Sequence, residues 1–275
     1  RLKQHAGAQH VLGQRRVLTA RTGDVDSVEQ PRTGVSAGPW LRLVSLAGLI
    51  LIWHVAAVAL EIRTLPTPWK VLTTFIDLAA SGEIFFHVAI TLARVAAAFT
   101  AAMVIGTAIG MVMGRYRGLD NFFDGWLILG LNMPALVITI LCYIWFGLND
   151  VAAVLAVTIN KVPLVAVTVR EGARAVQPEL MQVAGAYRLS RMTAVFRVYV
   201  PQIYPYLMAA ARGGLALIWK IVLLVELLGR SNGVGFQLQV YFQFFDIPSL
   251  LAYTFAFVAV VMAIEMIILR PLERR

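Results

Sequence analysis

Six apolar stretches, each near or above the roughly 20 residues that a helix needs to cross hydrocarbon, restrict this chain to lipid as its solvent. They cover 41–60, 86–114, 122–147, 151–169, 206–229 and 250–269. Inside a bilayer no water is available to the backbone, so each stretch must satisfy its own amides, and a helix does so. The expected fold class is an all-α membrane protein of about six transmembrane helices. Composition agrees, with 59% hydrophobic and 14% charged residues, where soluble domains carry roughly 45–50% and about 25%. In the second stretch Gly106, Gly110 and Gly114 stand four apart, a spacing that lets two helices approach closely.

The net charge of +9 is segregated by loop. One set of loops holds the basic tail of residues 1–39, then Arg115 and Arg117, then Arg170, Arg174, Arg188, Arg191 and Arg197, and finally Arg270, Arg274 and Arg275. The opposite set holds Arg63, Lys70 and Arg230. This bias puts both termini and the 170–205 loop in the cytoplasm. It also accounts for the charge without nucleic acid, and no such partner is expected. Residues 1–39 read as a flexible basic tail rather than a signal peptide, and 40–275 as the membrane domain. Pro66 and Pro68 break the chain before a short amphipathic helix over 69–80. Gly233 and Gly235 break it again after the fifth stretch, and Tyr241, Phe242, Phe244 and Phe245 suit a membrane interface. Cys142 stands alone in an apolar run; it reads as a small packed hydrophobe, with no disulfide or metal cluster.

Between the fourth and fifth stretches lies ELMQVAGAYRLSRMTAVFRVYVP, residues 179–201. Leu180, Val183, Ala184 and Tyr187 fall at i, i+3, i+4 and i+7, one apolar stripe on a helix that Pro178 can open. A break at Arg188–Leu189 precedes Ser190, a helix cap, and a second stripe of Met192, Val195, Phe196 and Tyr199. Pro201 and Pro205 mark the return to the fifth stretch. Two short amphipathic helices of this kind either lie on lipid headgroups or form a knob for a soluble partner.

This segment resembles the cytoplasmic loop of ABC-importer permeases, E-A-A-x3-G-x9-I-x-L-P. Here it reads Gln182, Val183, Ala184, then Arg188, then Val198, Val200 and Pro201. Gln182 stands where the family has Glu, and Arg188 where it has Gly, a residue that supplies a positive φ. The resemblance runs from about Leu65 to Leu269 and is nearest to the sulfonate, nitrate and taurine branch. LPTPWKVLTTF looks like that branch's Pro-x-Pro start. His87, Thr91, Leu92 and Arg94 resemble its H-x3-T-L-x-R. Pro134, Trp145, Phe146 and Gly147 resemble its third-span segment, with the second proline missing. Arg212, Trp219, Glu226, Leu227, Gly233 and Gly235 resemble its fifth-span region. The resemblance implies the type I importer permease fold and two copies of such a subunit as a homodimer. It further implies a cytoplasmic ATPase dimer docked on the two loops through Leu180, Gln182, Val183, Ala184, Tyr187, Arg188 and Pro201. An extracytoplasmic binding protein would deliver the solute, and the location would be the bacterial inner membrane. No G-x4-G-K-[ST] occurs in the chain, so ATP and Mg belong to the partner ATPase and no cofactor to this chain.

Polar side chains inside a membrane are costly and mark function. The candidates are His54, Arg94, Asn132, Asn160, Lys161, Lys220, Glu226 and Glu265. Arg94 and Glu226 sit at family positions and read as structural or gating contacts. Lys161 and Lys220 lie mid-span. Gly213, Ala216 and Lys220 share one helix face, where small residues leave room for a path. With Asn160 and Lys161 they are expected to line it and to favour a small anion. The bland alternative pairs each lysine with Glu226 or Glu265. Sulfonates, nitrate, bicarbonate, aromatic acids and pyrimidine precursors all fit the resembling branch. A stand-alone channel or secondary transporter is the competing function, although it has no need for two capped helices in the loop. A membrane enzyme fits worst, because no H-E-x-x-H, G-x-S-x-G or carboxylate pair appears.

Overall fold

The computed structural model describes residues 39–60, 62 and 64–269. The tail before residue 39, Arg63, Arg270, Arg274 and Arg275 lie outside the described residues, as do both termini. Two units divide the chain, one ending at Trp53 and one covering His54–Arg275. Helix α1 is Pro39–Leu60, apolar apart from Arg42, Ser45 and His54.

Within the second unit, α2, Pro68–Ala80, starts where Thr67 accepts the amide of Lys70 at 3.3 Å and Pro68 takes the first helical position. Helix α3, Glu83–Arg115, follows after Gly82 at φ +80°. Its glycine stripe lies against the helix α6, Asp150–Arg174. A Cβ on Gly106, Gly110 or Gly114 would come within 2.6 Å of Val165, 2.6 Å of the Ala166 carbonyl or 2.4 Å of Ala173. The spacing read from sequence therefore does bring two backbones together.

The third apolar stretch is not one straight span. It forms α4, Arg117–Asn132, and α5, Ala135–Phe146, bent by 98°. Pro134 cannot donate and pushes its predecessor out of the helical region; Met133 is extended at ψ 126°. Helix α6 is capped by Asn149, whose Oδ1 accepts the Ala152 amide at 2.9 Å. It runs to Arg174, beyond the 151–169 read from hydropathy.

After α6 come α7, Pro178–Ala186, and α8, Arg191–Ala194. Here too the sequence reading needs correction. The second helix of the loop is not a separate short one: Pro201 and Pro205, which mark the return to the fifth span, both lie within the long helix it runs into. The chain stays helical from α8 through a π turn, Val195–Tyr199, into α9, Val200–Gly229. Pro201 cannot give an amide to the preceding turn and its ring crowds the carbonyl there. The wider turn relieves this, and the Val200 amide reaches back to Val195. Helices α10, Val234–Gln243, and α11, Ile247–Ile264, complete the unit, with a second π turn over Glu265–Leu269. Among the described residues five helices are long and apolar enough to cross a membrane, or six if the bent α4–α5 pair counts as one span. The core gathers Val95, Ala98, Cys142, Val157, Ile218 and Tyr253. Cys142 is a packed hydrophobe, as its surroundings in the sequence imply.

Candidate functional site

The hairpin of α7 and α8 is held by local chemistry. Leu189 donates its amide to the Ala184 carbonyl at 3.1 Å and Arg188 donates to Gly185 at 2.9 Å. These are the two bonds of a Schellman cap, whose outer residue must be left-handed. That residue is Arg188, at φ +51°. Ser190 then caps α8, accepting the Thr193 amide at 3.2 Å. Gln202 ties the hairpin to α9: its Oε1 accepts the Gln177 amide at 2.9 Å, and its Nε2 donates to Val198 at 2.9 Å. Because a side chain resists this φ, Arg188→Gly is expected to relax the cap by about 1 kcal/mol. Hydrogen exchange of the Leu189 amide should then slow by about fivefold.

Of the stripe read from sequence, Ala184 faces inward, 4% exposed. Leu180, Val183 and Tyr187 are 43%, 50% and 78% exposed. The ridge continues through Leu189, Met192 and Phe196, all exposed. Gln182, Arg188 and Pro201 are exposed as well. At the hairpin's root Arg170 and Arg174 are helical residues of α6 rather than loop charges. Arg170 pairs with Asp120 at 3.0 Å and Asp124 at 2.5 Å, both on α4. Arg174 pairs with Asp120 and, at 3.1 Å, with Glu171. The start of α4 is thus clamped to the last turn of α6.

At the opposite end of α3 lies a buried polar clamp. His87, Thr91 and Arg94 fall at i, i+4 and i+7, one face of a helix. That face meets Glu226 of α9 and the loop before α10. Arg94 NH1 donates to Glu226 Oε1 at 2.6 Å, and Thr91 Oγ1 to the same carboxylate at 2.9 Å. The Gly235 amide donates to Glu226 Oε2 at 2.9 Å. Arg94 also reaches Asp150 at 2.7 Å and Asn232. His87 Nδ1 accepts the Gly233 amide at 3.0 Å, and Val234 donates to Thr91 at 2.9 Å. Gly233 is required at its place: φ is +105° and a Cβ would stand 2.4 Å from the Glu226 carboxyl. Of these, Thr91 entered the sequence reading only as a letter of the resembling motif, and Asp150 and Asn232 did not enter it. The polar i, i+4, i+7 stripe in an oily helix was the signal that could have found the first.

The lysines part company. A cleft of about 490 Å3 between α9 and α11 is walled by Leu215, Trp219, Phe257 and Val261. It carries Arg212, Lys220 and Glu265, and Ala216 also lines it. Gly213, Ala216 and Lys220 are exposed on one face of α9. Asn160, Lys161 and Gly213 do not line the cleft. Lys161 is buried within α6's packing and Asn160 half-buried. Glu226 is already held by Arg94, and among the described residues no carboxylate lies within ion-pairing distance of Lys161 or Lys220. Among the same residues no group of three His, Cys, Asp or Glu side chains could hold a metal.

Residues 102–274 match the family described as the binding-protein-dependent transport system inner membrane component. The chain is 29% identical over 202 residues to the aliphatic sulfonates transport permease protein SsuC of Bacillus subtilis, covering 72% of this chain and 73% of that one. It is 27% identical over 242 residues to the taurine transport system permease protein TauC of Escherichia coli, covering 86% and 88%. With the bicarbonate transport system permease protein CmpB of Synechococcus elongatus it shares 26% over 212 residues, covering 72% and 76%. A solved structure described as an amino acid ABC transporter with histidines superposes with a TM-score of 0.57 at 21% identity, over 73% of this chain and 98% of that one. That likeness is one of fold.

Proposed function

This chain belongs to the family of binding-protein-dependent transport system inner membrane components, and on that premise we propose that it is one half of the pore of an ATP-driven importer. The observation that carries this reading is the exposed ridge of Leu180, Val183 and Tyr187 on a hairpin capped at both turns. A chain that draws on a partner's hydrolysis needs a rigid handle, and an apolar ridge outside the spans suits a soluble partner. The partner is a cytoplasmic ATPase dimer that holds ATP and Mg. A second copy of this chain closes the pore, and an extracytoplasmic binding protein delivers the solute. The hairpin and both termini then lie in the cytoplasm of a bacterial inner membrane, and the Arg94–Glu226 clamp at the outer end of the pore.

The solute is a small molecule with an anionic group. The names of the relatives speak of sulfonates, taurine and bicarbonate, each bearing an oxyanion. A path between two copies is exposed in the isolated subunit, and Gly213, Ala216 and Lys220 meet that condition. Lys161 does not, and we assign it to the interior of the subunit, with Asn160 at its margin. A cation in a cleft walled largely by apolar side chains attracts an anion more strongly than in water.

The complete complex in proteoliposomes tests the proposal: uptake should require ATP and the binding protein. Solute flux through the permease alone would instead support a stand-alone carrier. Lys220→Met is expected to raise the KM for an anionic solute about tenfold, the weight of one partly desolvated charge, with ATPase docking unchanged. Wild-type uptake by this variant would remove Lys220 from the path.

A further inference from the structure

A groove of about 480 Å3 lies between the last turns of α3 and the first half of α4. Ile109, Val112, Phe123 and Trp126 wall it, and the Trp126 indole is the one polar side-chain group among its lining residues. Where the chain turns from α3 into α4 stand Arg115 and Arg117, both exposed. Arg115 lies one helical turn beyond Val112, and Arg117 two residues before Leu119, which also lines the groove. Neither arginine has a hydrogen bond or ion pair among the described residues. The contrast with the same end of the molecule is sharp. Arg170 and Arg174 are neutralised by Asp120, Asp124 and Glu171. The acids nearest in sequence to Arg115 and Arg117, Asp120 and Asp124, are already engaged, and two cations stay without an ion pair beside an apolar surface.

We infer that this groove binds an anionic phospholipid, with an acyl chain along Ile109, Val112 and Trp126 and the phosphate on Arg115 and Arg117. The groove lies on α3, a helix long and apolar enough to cross a membrane, so lipid is the solvent that meets it. A wall without a charged side chain leaves the desolvation of a small hydrated anion largely uncompensated. It offers an acyl chain contact along its length. The arginines select the headgroup, as basic clusters at the inner face of a membrane do. Held there, the lipid would brace the α3–α4 turn, and through Asp120 the last turn of α6, from which the hairpin springs.

The test uses the purified complete importer, equilibrated in micelles with equal amounts of phosphatidylglycerol and phosphatidylcholine, and native mass spectrometry to count retained lipid. The wild type should retain phosphatidylglycerol over phosphatidylcholine by about tenfold, two arginines each contributing about a factor of a few. Arg115→Gln with Arg117→Gln should lose the preference, and Arg115→Lys with Arg117→Lys should keep it. Ala108→Trp, which fills the groove, should lower retention of both lipids. Equal retention of the two lipids by the wild type overturns the inference, and so does a preference that survives the glutamine pair. Efficient copy-to-copy disulfide formation by Val112→Cys would also overturn it, since a second copy would then cover the groove. ATP-dependent uptake in the same preparations reports separately on the importer reading.

Discussion

Arg94→Met is expected to cost the folded subunit about 3–5 kcal/mol, because it leaves a buried carboxylate without its counter-charge. Glu226 is fully buried. After the substitution its remaining donors would be Thr91 and the Gly235 amide. Two neutral hydrogen bonds do not replace a guanidinium at 2.6 Å. The loss should appear as a large drop in the thermal midpoint of the detergent-solubilised complex and in the yield of inserted protein. The double variant Arg94→Met with Glu226→Gln removes both charges and should recover most of it, since an uncharged pair of similar volume is often tolerated. A double variant as unstable as the single one would mean that the clamp acts through shape rather than charge. Near-wild-type stability with lost transport would instead mark the pair as a gate. Asp150 is exposed and shared with Arg230 at 3.1 Å, so Asp150→Asn should cost far less.

Tyr187→Asp is expected to weaken association with the ATPase by at least a hundredfold while the spans insert normally. The side chain is the most exposed of the ridge, so the hairpin itself loses no packing. An aromatic anchor in a docked interface is worth about 2 kcal/mol or more, and a carboxylate in an apolar socket adds a desolvation penalty. Pull-down of the ATPase with the purified permease measures the effect directly. Co-purification at wild-type yield would remove the ridge from the interface. Ala184→Asp is the larger perturbation but a poorer probe. Ala184 is buried, so the charge would break the hairpin before it reached any partner.

Much of this was legible from local rules. The apolar lengths marked the candidate spans, although the third proved to be a bent pair, and Ser190 and Pro178 announced helix starts through chemistry that needs only neighbours in the chain. The break at Arg188 followed from where the first apolar stripe ends and Ser190 can cap the next helix, and the left-handed φ there shows why the resembling family places a glycine at that position. Other features were hidden. The bend at Pro134 could be suspected from the proline, but a proline also sits inside α6 at Pro163 without ending it. One proline breaks a helix and another does not because the surrounding packing decides whether the freed carbonyl is tolerated. Arg170 and Arg174 looked like loop charges because hydropathy ends a span where charge begins. Their partners Asp120 and Asp124 are about fifty residues earlier in the chain.

The sequence by itself determined that this chain lives in lipid, that its elements are helices, and that a capped amphipathic hairpin interrupts them. Those properties depend on solvent, on periodicity and on residues within a few positions of one another. Only the tertiary structure decided that Arg94 meets Glu226 across 132 positions, that Ala184 turns inward, and that Lys220 is exposed where Lys161 is buried. Those depend on which helix faces are pressed together, and an apolar helix has several faces of nearly equal hydropathy. The choice among them rests on close contacts such as the glycine stripe against α6, which arise only once distant segments are side by side.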